Sequence, residues 1–137
     1  MGKAEKPEMV WRALAAILAA FHGLNGLRMI FDPAGWYASV PGIEHTGPFN
    51  SHFVPDIGFA FLTAAIGFGV WALRPHVAAW AVMGAAWPAL HGVFHIVGFA
   101  HHIPEGLALI TESAGVILPS LIGVAIAVKA LRTERTL

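Results

Sequence analysis

The chain has 137 residues, of which 57% are hydrophobic and 12% charged, and its formal net charge is zero. That is too little charge for a soluble domain of this length, and the mean hydropathy of +0.68 points the same way. No basic stripe or nucleic-acid motif is present, which sets nucleic acid aside as a partner. The lack of cysteine excludes disulfides, thiolate nucleophiles and iron–sulfur ligation.

Apolar runs of about 20 residues, long enough to cross a bilayer, recur along the chain. Lys3, Lys6 and Arg12 precede the first, a pattern loosely like a signal peptide. The apolar character continues through Leu24, Leu27, Met29, Ile30 and Phe31 without a small-x-small cleavage site, so residues 10–31 are read as a retained span. The span stops at Asp32-Pro33, because proline disfavours helix in the residue before it. Residues 32–52 then read as an extracytoplasmic loop, with turn chemistry at Asp32-Pro33 and Pro41-Gly42. A loop of that length in so small a chain points to function. The second span, 53–73, ends at Arg74-Pro75, and the third covers 77–100. After Pro104 the fourth runs from 106 to 128. No repeat or second domain is visible. Residues 1–137 are therefore predicted to form one all-α domain, an antiparallel bundle of four transmembrane helices.

Orientation follows from charge. Lys3, Lys6, Arg12, Arg74, Lys129, Arg132 and Arg135 fall at one end of the spans, and only Arg28 falls at the other. Basic residues favour the cytoplasmic side, so both termini are expected in the cytoplasm, in a multi-pass protein of the cell (inner) membrane. Its first partner is the lipid bilayer, with a homo-oligomer or a larger membrane complex left open. The histidines segregate the opposite way: His22, His45, His52, His91, His95, His101 and His102 lie toward the other end, and only His76 accompanies the basic residues.

At about 1.5 Å per residue, His22 and His91 lie roughly 13 Å, Glu112 about 9 Å and His95 about 8 Å below the extracytoplasmic ends of their spans. His52 and Asp56 sit in the opening turn of span two. Polar residues of all four spans thus share one depth, where they are expensive to keep without a role. His91 and His95, spaced i, i+4, share a helical face and can reach one metal ion. With His22, His52, Asp56 and Glu112 they form a candidate ligand set for Zn, Fe, Mn or Cu, in which Asp56 or Glu112 is also the candidate catalytic base. His45, His52, His101 and His102 would form its mouth. The bland readings are that His22 is a helix–helix hydrogen-bonding residue, that Asp56 caps its helix, and that Asp56 or Glu112 pairs with Arg28. Trp11, Trp36, Trp71 and Trp80 read as interface-belt aromatics. The Ala78, Ala81 and Ala85 face reads as close helix packing.

The segments FNSHFVPDIG and WPALHGVFHIVGFAHH together resemble a group of small, uncharacterised four-helix bacterial membrane proteins, loosely DoxX-like. The resemblance implies a bacterial integral membrane protein with His52, Asp56, His91 and His95 as its signature positions, and it implies no reaction. A weaker echo of the histidine boxes of membrane di-iron enzymes covers His91-x-x-x-His95 as one box and His101-His102 as the end of another, on the opposite side of the membrane from theirs.

The leading functional expectation is a metalloenzyme or metal-binding accessory protein. Alternatives are haem b held between His22 and His91, a metal-free acid–base site of a proton-coupled transporter or lipid-substrate enzyme, and a structural subunit of a membrane complex.

Overall fold

The computed structural model of the chain describes residues 5–135; Lys3 and the side chain of Lys6 lie outside that description. Every regular element among the described residues is helical. Helix α1 (Glu5–Phe31) is followed by a short α2 (Pro33–Ser39) and a 3-10 turn, Ile43–Thr46. Helices α3 (Phe53–Leu73) and α4 (Ala78–Phe99) come next. Then α5 (Gly106–Glu112) is joined through a π-helical turn, Ser113–Ile117, to α6 (Leu118–Glu134). Four stretches are long and apolar enough to cross a membrane: Glu8–Phe31, α3, α4, and the whole of Gly106–Glu134.

The segment between the first two spans departs from the expected loop. Asp32, which ends α1, also starts α2: its Oδ1 accepts from the Gly35 backbone N–H at 3.1 Å, and Pro33 takes the first helical position. One Asp-Pro step therefore serves as stop and start. The π turn has a comparable local cause. Pro119 has no N–H, and its ring presses on the carbonyl four residues back, so the ladder slips and Leu118 bonds to Ser113 instead.

Helix α1 packs along α3, α3 along α4, and α4 along α6. Small residues let the backbones meet. A Cβ on Gly26 would lie 2.6 Å from the Gly58 carbonyl oxygen, one on Gly67 would lie 2.4 Å from the Gly84 nitrogen, and one on Gly92 would lie 2.7 Å from the Ser120 side chain. Ala78, Ala81 and Ala85 are buried, as close packing requires. They join Phe68, Trp71 and Ile126 in a sealed core at the end that carries most of the Lys and Arg residues. Trp71 is only 1% exposed and belongs to that core, not to an interface belt. Trp11 and Trp80 pack against the same core.

Three polar contacts tie the basic ends of the spans together. Arg12 Nε donates to the Ala72 carbonyl at 2.8 Å, Lys129 Nζ pairs with Glu8 at 3.2 Å, and the Ala78 N–H approaches Glu134 Oε1 at 3.4 Å.

The glycine contacts generate a stability test. Gly67→Val should drive α3 and α4 apart and lower stability by about 1–3 kcal/mol, the usual range for overpacking. Gly98→Ala, where an added Cβ meets nothing within 4 Å, should leave the melting temperature in detergent unchanged or raise it.

Candidate histidine–carboxylate site

At the opposite end the bundle opens. His91 and His95 lie on the face of α4 that continues its buried stripe, yet both are part-exposed, as is Glu112 at the end of α5. His95 Nδ1 and Glu112 Oε2 are 2.8 Å apart, with the side chains 22% and 30% exposed. A contact that short between part-buried groups orients the imidazole and leaves its Nε2 available. The His91 ring meets His95 edge-on at 4.7 Å, and Trp87 stacks on His91 at 5.5 Å. Trp87, His91 and His95 thus form one i, i+4, i+8 stripe. The helical spacing that marks the two histidines includes the tryptophan as well, a signal sequence reading passed over.

His22 is 2% exposed and lies deeper. Its ring stacks between Phe61, at 5.5 Å and 22° between planes, and Phe68, at 6.0 Å and 17°. Neither ring nitrogen has a hydrogen-bond partner, nor has Trp87 Nε1. An unbonded buried imidazole is costly, by about 1–3 kcal/mol per unsatisfied group. His22 is therefore not the hydrogen-bonding residue of the bland reading. Phe61 is the hub of the cluster: it touches His22, Trp87 and, at 5.9 Å, His91. Nothing in the sequence separates it from the other phenylalanines.

His52 and Asp56 sit elsewhere. Both are exposed, and four residues apart they share the outward stripe of α3 with Phe59, Thr63 and Ile66. Asn50, not Asp56, caps α3: its Oδ1 accepts from the backbone N–H groups of His52 and Phe53 at 2.9 and 3.0 Å. Arg28 pairs with neither carboxylate and donates to the Gly35 carbonyl at 3.3 Å. His45, His101 and His102 are exposed. The structure therefore brings together His91, His95 and Glu112, with His22 behind Phe61. Among the described residues, no three His, Asp or Glu side chains converge on one point as they stand.

The α2 segment packs on α1 and α3. Trp36 packs against the cluster formed by Met29, Val54 and Phe61, and its Nε1 donates to Asn25 Oδ1 at 2.8 Å. That bond explains both Asn25 inside a span and a tryptophan that would otherwise read as belt. The Tyr37 hydroxyl donates to the Gly47 carbonyl and closes the segment on itself. Gly42 reaches across to α5, its Cβ direction 3.4 Å from Ala108.

No protein-family model matches the chain, and neither does any curated protein or solved structure.

Removing the Asn25 amide should loosen this covering segment without disturbing the spans. Asn25→Ala is expected to cost about 1 kcal/mol, the worth of one net hydrogen bond. Amide exchange should quicken in residues 33–46 and stay unchanged in α3 and α4.

Proposed function

We propose that the chain is a four-span protein of a cell membrane with antiparallel neighbours, both termini cytoplasmic, and a divalent transition-metal site on His91 and His95 in its extracytoplasmic half. The carrying observation is the 2.8 Å His95–Glu112 couple beside His91 at the open end of the bundle. Ligating histidines characteristically hand their second ring nitrogen to a carboxylate. Glu112 serves that role for His95 Nδ1, and rotation of His91 about its side-chain bonds brings a second imidazole to the same ion. Imidazole with carboxylate suits Zn(II), Fe(II), Mn(II) and Cu(II). Such an ion supplies Lewis acidity or an activated water. The protein then works as a membrane metalloenzyme or as a metal-binding accessory protein. His52 and Asp56 are left out of the ligand set because they lie on the outward stripe of α3.

Support for the orientation comes from the three contacts linking Arg12, Lys129 and Glu134 to neighbouring spans, which gather the basic ends at one face. The sealed core at that end favours access from the histidine end alone, which disfavours a monomeric transporter. Haem b between His22 and His91 is disfavoured by Phe61, whose ring packs on both imidazoles, at 5.5 and 5.9 Å. A metal-free acid–base pair is the second reading, favoured by the same short His95–Glu112 contact.

Elemental analysis of protein purified in mild detergent without chelator decides between them. About one equivalent of a transition metal is expected, lost in folded His91→Ala and His95→Ala and retained in His102→Ala. Metal content unchanged in the first two variants removes the metal site. A metal-free native protein leaves the acid–base pair. Because the chain has no cysteine, single cysteines read topology cleanly. Ala38→Cys should react with an impermeant maleimide on intact cells, and Arg74→Cys only after permeabilisation.

A further inference from the structure

The way into the site is written in the packing of span four. Helix α4 packs along α6 and the π turn but barely touches α5. The first part of the fourth span therefore stands away from α4, and the His95–Glu112 contact bridges the gap. Counting from the ends of α4 and α5, His95 lies about 6 Å and Glu112 about 9 Å inside. Both polar groups are thus part-exposed at a depth that in the four-span reading belongs to hydrocarbon.

The end-on approach is covered. Trp36 packs against the cluster of Met29, Val54 and Phe61, and the same segment reaches α5, where a Cβ on Gly42 would lie 3.4 Å from Ala108. The covering runs from the α1–α3 side to α5, and the uncovered side is the one between α4 and α5. Phe94, 73% exposed, meets the His95 ring edge-on at 5.7 Å and flanks the site on α4, and Leu107 and Ile110, each 63% exposed, make the outer surface of α5 apolar. Gly98, three residues beyond His95, and Gly115, three beyond Glu112, add no bulk, and a Cβ on either meets nothing within 4 Å.

We infer that the His91–His95–Glu112 site takes a lipid-soluble molecule with a polar head, which enters sideways from the bilayer between α4 and α5. The inference rests on the four-span reading and not on the metal. A molecule of this kind leaves its tail against Phe94 and the surrounding lipid while its head meets the imidazoles and the carboxylate. A water-soluble substrate would have to pass the Trp36 segment, and the part-exposed His95–Glu112 pair would otherwise face lipid with no further polar partner, which is unfavourable. The expected mouth at His45, His52, His101 and His102 is replaced by a lateral one.

Carbodiimides, which form adducts with carboxyl groups, test the route. The full chain in lipid nanodiscs, stripped of metal, is treated with lipid-soluble dicyclohexylcarbodiimide or with a water-soluble cationic carbodiimide, and adducts are mapped by mass spectrometry. The lipid-soluble reagent is expected to modify Glu112 and the water-soluble one to leave it untouched while modifying exposed Glu105. The Glu112 adduct should vanish in Glu112→Gln. It should also vanish in a Gly98→Leu/Gly115→Leu variant whose helical circular dichroism is native, since the added side chains fill the opening. Modification of Glu112 from water, no modification by either reagent, or an adduct retained in the folded, plugged variant each overturns the lateral route. Metal content of the untreated preparations separates the two ideas. Metal with water-side labelling keeps the metal site and removes the route, and lipid-side labelling without metal does the reverse.

Discussion

Backbone contact at small residues governs the rest of this structure. Where Gly26 meets Gly58 and Gly67 meets Gly84, the spans approach so closely that a single methyl group would part them. Within a bilayer there is no hydrophobic drive between helices, so such contacts, with the dispersion energy they permit, are what hold spans together. The series ends at Gly92 against Ser120. Ser120 is buried there, and its hydroxyl donates its one hydrogen to the Pro88 carbonyl at 2.6 Å or to the Val116 carbonyl at 2.7 Å. Beyond that point Gly98 and Gly115 face open space. Close backbone contact therefore stops before the last turns of α4, and the histidines stand where it stops.

The π turn belongs to the same design. It begins directly after Glu112, where Pro119 makes the hydrogen-bond ladder slip. Glu112 sits at this discontinuity, a position where helices often carry function. The short bond to His95 then becomes the polar tie between two segments that share little else. The buried, unbonded His22 is the reverse case, a polar group held tightly by Phe61 and Phe68 with nothing to bond.

Much of the fold was legible from hydropathy alone. The four spans lie where the apolar runs and the Asp32-Pro33 and Arg74-Pro75 breaks put them. The backbone must satisfy its own hydrogen bonds in hydrocarbon, which leaves a long apolar run little choice but helix. The segment after Asp32 was less legible. Its Asp-Pro signal reads equally as a turn or as a helix start, and Trp36 docking on Met29 and Phe61 favours the helix. For the site, helical spacing sufficed to pair His91 with His95, since residues on one helix keep a known angular relation.

Sequence alone, then, determined that the chain is all-helical with four long apolar helices, and that His91 and His95 share a helical face. Tertiary structure decided which other polar residues join that face. His52 and Asp56 lie at a suitable depth but turn outward, Glu112 turns toward His95, and His22 is screened by Phe61. Depth follows from counting residues along one chain, and sequence carries it. Rotation about the helix axis is set by which small residues let neighbouring backbones touch, and only the packed bundle settles that.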